Sequence, residues 1–520
     1  MNTEMDKRFV LTEGANPNYL CTICRIGEMF PIEGADRLVK TVINGYDIVI
    51  SKEHKEGDIV VYFPVETSIC EQYLSANNLY EMGEFERNSN AEDVKEILIK
   101  ADSLKDTDIE GKTALLAEAK SKCGFFNKHG RVRILKLRGQ YSQGFVASVE
   151  SLINFDNTLA DVDWESMVDC QFNQVCDVEF CKKYVPAIKE RREHTRGDQS
   201  LWKKRMRKLK RFNRIIDGQF EFHYDTKMLA EHIVQLSPDD IVSITVKVHG
   251  TSAIFANVLT NKKSEFSKSF CKKRIKEILN MRYNRLSHAQ KKYLTNTYVA
   301  SKTKPTKEYG NVYSSRSVIK NQYINPRAQS FYGSDVWGCV NRDFSPYIAN
   351  GMTVYGEIVG YLEGSQQMIQ KNHDYGCKPG CWKFMPYRIT ETDEFGNKTE
   401  WDIDKVDEWT RNLVAEHPEL ADKTMFLDIV YYGRLGDLYP DLDPENHWHS
   451  NLLARMKTDK DRFKMEMNEP MCKNKVPREG IVVRIVGDPL ARAWKLKCQS
   501  HYARECKEND KGIVNIEDIS

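Results

Sequence analysis

The chain has 520 residues, too many for one compact core, so two or three domains are expected. With 41% hydrophobic and 29% charged residues and a net charge of +2, it reads as soluble and globular. No apolar window approaches the roughly 20 residues that a membrane span needs, and no basic flank with an apolar stretch behind it marks a leader at the N-terminus. A reducing cytoplasm, that of the host if the chain is viral, is the expected compartment, and the 14 scattered cysteines favour free thiols over a disulfide framework. Cys21-x-x-Cys24 lacks a second pair, and Cys377 with Cys381 lacks co-ligands beyond His373, so structural zinc is not expected.

From Cys21 to Thr67 β-rich runs alternate with turns: Leu38 to Ile43, an Asn44-Gly45 hairpin signal, Tyr46 to Ile50, then Asp58 to Phe63. A polar, helix-prone stretch near 75–120 interrupts this pattern before Arg131 to Leu137 and Gln143 to Val149 resume it. Residues 1–186 are therefore expected to form a small β barrel or sandwich with a helical insertion.

Residues 187–218 form a connector whose charge the near-neutral total conceals. Between Lys189 and Arg214 twelve Lys/Arg meet three acidic residues, and Lys203, Lys204 and Arg205 form its densest cluster. Such a run is either a solvated linker or a phosphate-contacting segment that positions a polyanion without reading its bases.

Residues 219–520 mix strands and helices, with strand-like runs Ile241 to Val248, Ser252 to Val258, Thr353 to Tyr361 and Gly480 to Val486. This predicts an α+β domain. Helix-prone stretches at Lys262 to Tyr293 and Ile403 to Met467 separate the strands.

Four motifs, each on an apolar strand-like run, follow in a meaningful order: Lys247-Val248-His249-Gly250, Val354-Tyr355-Gly356-Glu357, Arg478-Glu479-Gly480 and Lys495-Leu496-Lys497. A lysine nucleophile must shed its proton, against an unperturbed pKa of about 10.4, before it attacks phosphorus. Cationic neighbours such as Lys495 and Lys497 favour that loss and can hold phosphates. Glu357 and Glu479 are hard oxygen donors suited to Mg²⁺ or Mn²⁺, or to a ribose hydroxyl, and Gly250 and Gly356 admit close backbone approach. Each motif alone is common; Lys307-Glu308-Tyr309-Gly310 also fits the first pattern. The ordered set carries the reading.

On these residues the third region resembles the covalent nucleotidyltransferase superfamily of ATP-dependent polynucleotide ligases and capping enzymes. The resemblance implies that Lys247 is the adenylylated lysine and that Arg316, in Tyr313-Ser314-Ser315-Arg316, contacts phosphate or the 3′-OH end. It implies that Glu357 lies near the ribose, that Tyr387 of Pro386-Tyr387-Arg388-Ile389 stacks on the purine in competition with Phe384, and that Glu479, Lys495 and Lys497 complete the site. DNA ligases and capping enzymes place an OB domain after the last lysine motif, where only Cys498 to Ser520 remains here. Phe30 to Leu38, Gly57 to Phe63 and Leu137 to Gly144 instead resemble the N-terminal OB domain of the fifth RNA ligase family, which also resembles this chain in carrying histidine, here His249, in the nucleophile motif.

The fold class so implied is multidomain: an N-terminal OB barrel with an insertion and a C-terminal α+β adenylation domain. The implied activity is ATP-dependent RNA ligation through lysyl-AMP with Mg²⁺ or Mn²⁺, sealing 3′-OH/5′-phosphate nicks in duplexes with RNA on the 3′-OH side. The implied partner is broken or nicked RNA, with no membrane and no obligate protein partner. Lys136 and Arg138 of the β domain are candidate nucleic-acid contacts, although basic residues on strands are ordinarily just solvated. The competing readings are a GTP-using guanylyltransferase and a non-catalytic nucleic-acid adapter. His249 is either a pocket residue or a structural histidine.

Overall fold

The computed structural model describes residues 6–104, 108–185, 214–223, 226–262, 268–302, 306–321, 334–488 and 490–510. Among them no helix is long and apolar enough to cross a membrane.

In the N-terminal region the Asn44-Gly45 signal is realised as a tight turn, with φ of 49° and 75° at its two central residues, as a two-residue hairpin requires. It joins Leu38–Ile43 to Tyr46–Ser51, and the first of these also pairs with Met29–Pro31. Cys21–Arg25 pairs with Ile59–Phe63, which pairs in turn with Phe145–Ser148. The remaining gap is bridged by Gln143 N–H, which donates to the Asp47 carbonyl at 2.8 Å, and by Val49 N–H, which donates to Ser142 Oγ at 3.0 Å. These bonds tie the meander to the segment that leads into Phe145–Ser148. The interruption expected near 75–120 consists of the helices Glu71–Ala76, Ala91–Ser103 and Ile109–Ser121; the first packs Tyr73 and Leu74 against the strands, and the other two pack on each other.

Alternation along Cys21–Arg25 sends the two cysteines of the Cys-x-x-Cys pair to opposite faces. Cys21 joins a core with Phe63, Tyr73 and Phe180, whereas Cys24 joins one with Tyr46, Leu229 and Trp494. The described cysteines are free thiols.

The C-terminal region carries two five-stranded sheets. The first runs in the order Lys227–Met228, Ala493–Lys497, Gly480–Ile485, Ile241–Lys247 and Ile429–Arg434; the second in the order Thr306–Ser315, Thr251–Lys262, Met352–Gly360, Trp382–Thr392 and Lys398–Glu400. The sequence pattern does not mark several of these strands, Ile429–Arg434 and Thr306–Ser315 among them. Ile429–Arg434 lies inside the stretch expected to be helical, yet its Ile-Val-Tyr-Tyr core suits a pleated surface and pairs with the free edge of Ile241–Lys247. Thr306–Ser315 absorbs the second Lys-x-x-Gly motif as ordinary hairpin, paired residue for residue with Thr251–Lys262. The basic stretch after Lys262 forms helices Lys268–Leu279 and His288–Lys302, and the later one forms Ile403–Glu416 and Trp448–Thr458.

The core does not stop at the connector. Val39, Ile43, Ile48 and Ile50 of the N-terminal meander pack with Leu229, Val242, Ile244, Trp448, Ile481 and Trp494. A second core, holding Val246, Val248, Phe255, Val354 and Phe384, lies under the other sheet. Ile241–Lys247 is therefore rooted where the two cores meet, which fixes its last residue firmly.

Candidate active site

Lys247 ends its strand, and Val248-His249-Gly250 carries the chain from the first sheet to the second. The crossing is tight: Gly250 N–H donates to Glu357 Oε1 at 3.2 Å, and a Cβ at Gly250 would press into the Ile358 carbonyl, Glu357 and Val359. His249 N–H donates to the Tyr375 hydroxyl at 2.6 Å, and Gln370 donates its amide to the Gly250 carbonyl at 2.6 Å. The loop after Met352–Gly360 thus holds the turn from behind.

Register explains how distant lysines meet. Lys247 faces Gly480 and Gly480 faces Lys497, so a single glycine separates the two ammonium-bearing side chains across three strands. That glycine has φ of 148°, and a Cβ there would overlap the Leu496 carbonyl. Just before it, Glu479 is sealed beneath the lysines, its side chain 0% exposed, at 2.9 Å from Lys247 Nζ and 3.2 Å from Lys497 Nζ. Burial by itself would raise the Glu479 carboxyl, yet the two ammoniums outweigh it and hold that group well below the usual carboxylate range. Arg478, which precedes it, points the other way into a buried bidentate pair with Glu469 at 3.0 and 3.2 Å and serves as an anchor.

The cavity above this arrangement lies between the sheets. From the sequence candidates Lys247, Arg316, Glu357, Tyr387, Lys495 and Lys497 line it together, although they span some 250 positions of the chain. His249 and Gly250 stand immediately behind. Tyr387 reaches the cavity wall, while Phe384 is fully buried against Phe255 and Phe344. Six cationic side chains, Lys183, Lys247, Arg316, Arg484, Lys495 and Lys497, face three carboxylates, Glu66, Glu357 and Glu505, which leaves the cavity suited to a polyanion.

The structure leaves other candidates apart. Lys136 is exposed and sits over the Tyr141 ring at 5.0 Å, and Arg138 is exposed in the adjoining turn with φ of 48°. Neither lines the cavity. Lys203, Lys204 and Arg205 lie outside the described residues.

Sequence reasoning missed several neighbours. Tyr19, Glu66 and Lys183 come from the N-terminal region and close one wall. His223 packs edge-on to Tyr387 with ring centroids 5.5 Å apart. The helix Gln499–Asp510 supplies Tyr502 and Glu505, the latter 3.2 Å from Lys497 Nζ. Burial would raise Glu505, but Lys497 and then His501 hold it well below the carboxylate range. None of these lies in a motif; only packing brings them in. His373 and His501 flank His249, each with ring centroids 4.9 Å from it, and burial first, then His249 and His501, hold His373 down at about 2. Behind Lys495, the Tyr46 hydroxyl donates to Glu231 Oε1 at 2.8 Å; burial pushes Glu231 up to about 7 against the opposing effects of that hydrogen bond and of Lys495.

No family model matches the chain, and no curated protein matches it. Among solved structures it is similar to a mutant of the Naegleria gruberi RNA ligase with AMP and Mn, at 16% identity and a TM-score of 0.47, covering 94% of this chain and 98% of that one. It is also similar to Naegleria gruberi RNA ligase with PPi, at 17% identity and a TM-score of 0.45, covering 94% and 99% respectively.

Proposed function

We propose that the protein is an ATP-dependent RNA ligase in which Lys247 is the covalent nucleophile. One observation carries this reading: Lys247, Lys497 and Glu479 form a single buried ion cluster at the floor of a cationic cavity whose walls hold Arg316, Glu357, Tyr387 and Lys495. A lysine meant only to stabilise the fold has no need of such a cavity.

Before attack the Lys247 amine must turn from Glu479 into the cavity and lose its proton. Lys497 keeps Glu479 paired while it does so, which spares the fold a buried lone carboxylate. The amine then attacks the α-phosphorus of ATP: the N–P bond forms, the bridging P–O bond breaks and pyrophosphate leaves. Lys495, Arg316 and Lys497 balance charge developing on the phosphates. Tyr387 supplies a face for the purine, and His223 props its edge.

A nucleotide-bound Mg²⁺ or Mn²⁺ would neutralise triphosphate charge in such a site. The donor set fits an ion that keeps most of its waters and takes one or two carboxylates. Glu357 stands at the cavity wall and would hold such an ion, whereas Glu479, also assigned to it from its motif, is sealed beneath Lys247 and Lys497 and would act through them. In the later steps AMP passes to a 5′-phosphate and a 3′-OH displaces it, with nicks bearing RNA on the 3′-OH side as the assigned substrate. The antiparallel N-terminal strands support an OB barrel as the strand-holding module, and the basic connector around Lys203, Lys204 and Arg205, with Lys136 and Arg138, is assigned to the nucleic-acid backbone. A cytoplasmic site of action goes with this reading.

Incubation with α-labelled ATP and divalent metal should leave one acid-labile AMP per chain on wild type and none on Lys247→Ala. Equal label on both would remove the proposal, and preferential labelling from GTP would turn it toward the guanylyltransferase reading. Binding of nicked RNA with no label and no sealed product would favour the adapter.

A further inference from the structure

The turn after Lys247 and the helix Gln499–Asp510 meet through side chains to which the proposed ligase steps give no role. His501 and Glu505 stand four residues apart on one face of that helix. Opposite them His249 comes from the turn, and one donor atom from each of the three lies within 4.8 Å of the others. His249 and His501 are 6% and 1% exposed, so water does not compete freely for their nitrogens. His373 closes the group from the loop behind, 3% exposed. Nδ1 of His501 and Nε2 of His373 are buried with no hydrogen-bond partner, a costly condition that a ligand would relieve.

We propose that His249, His501 and Glu505, with His373 beside them, form a binding site for one zinc-like transition-metal dication that staples the helix Gln499–Asp510 to the turn following Lys247. Imidazole nitrogens with one carboxylate select Zn²⁺, Co²⁺ or Ni²⁺ over Mg²⁺, which demands oxygen. Zinc bonds of 2.0–2.2 Å set tetrahedral ligand edges of about 3.4 Å, so a separation at the 4.8 Å limit has to close by about 1.4 Å, within the reach of small side-chain rotations. Glu505 would exchange part of its contact with Lys497 for the metal, while Lys497 retains Glu479. The site is distinct from the nucleotide metal and goes beyond the ligase reading without depending on it.

The test uses the full chain, freed of metal with a chelator and titrated with Co²⁺ without nucleotide. One equivalent should bind, giving d–d absorption of a nitrogen and oxygen site with no thiolate charge-transfer band. His501→Gln and Glu505→Gln should each weaken binding by at least about tenfold, with circular dichroism confirming their fold. Lys247→Ala, unable to take AMP, should bind as wild type, which separates this result from any failure of the ligase reading. X-ray absorption of the Zn²⁺-loaded wild type should show imidazole scattering, so the inference remains testable if neither variant folds. Absence of uptake, unchanged affinity in His501→Gln, or a sulfur shell around the zinc would overturn it.

Discussion

Replacing Glu231 by glutamine should make the protein more stable above neutral pH and leave it unchanged in acid. Glu231 is held between Tyr46 of the N-terminal meander and Lys495, where burial raises it from an ordinary 4.5 to about 7. The sign follows from proton counting. Between those two values the folded chain binds more protons at this residue than the unfolded chain, so stability falls as pH rises through the window and is level above it. At about 1.4 kcal/mol per pKa unit the wild type loses roughly 3 kcal/mol across the interval. Glutamine keeps an oxygen for the Tyr46 hydroxyl and carries no charge to desolvate, so Glu231→Gln should match wild type near pH 4 and gain up to roughly 3 kcal/mol by pH 8. Urea unfolding at half-unit pH steps measures this directly, because other titrating groups cancel in the difference between the two proteins. A difference that is flat with pH, or that grows in the wild type's favour, would refute the reasoning.

Gly250→Ala forces a Cβ against the Ile358 carbonyl and Glu357, shifting the nucleophile turn; AMP labelling should fall by about a hundredfold, measured at saturating ATP, with the overall circular dichroism retained. Arg478→Met strands Glu469 in the interior and should cost about 3–5 kcal/mol, whereas the double variant Arg478→Met/Glu469→Leu should cost far less, as a double-mutant cycle in urea would show. Neutralising Lys203, Lys204 and Arg205 should weaken binding of a nicked duplex and flatten its salt dependence, while self-adenylylation, measured without nucleic acid, stays as in wild type.

The polar core of the site was legible because its chemistry sits at strand ends, where short motifs survive in the chain. Lys247, Glu357, Lys495 and Lys497 could be named from such motifs, and the sheet register then brings them to one cavity. Strands bounded by turn residues, such as Leu38–Ile43, were equally readable. What escaped notice depends on packing between distant segments. The strand Ile429–Arg434 hides among helix-forming neighbours and is selected by an open sheet edge. Glu66, Lys183, His223 and Glu505 belong to no motif, and only packing between distant segments brings them to the cavity. Glu479 was read as a metal carboxylate; that it lies under two lysines follows from three-strand register, which no local pattern encodes.

The helix Gln499–Asp510 looks two ways along its length. Gln499 donates its side-chain amide to Asp47 and Gln143, the Cys506 thiol meets Glu66 at 2.9 Å, and Asp510 meets Arg131 at 3.1 Å, while Glu505 leans inward to Lys497. It works as a hasp: lifting it would break its contacts with the N-terminal region and leave Lys497 without Glu505 in the same motion. Any shift of this helix therefore changes the contacts of the N-terminal region and the charge around Lys497 together.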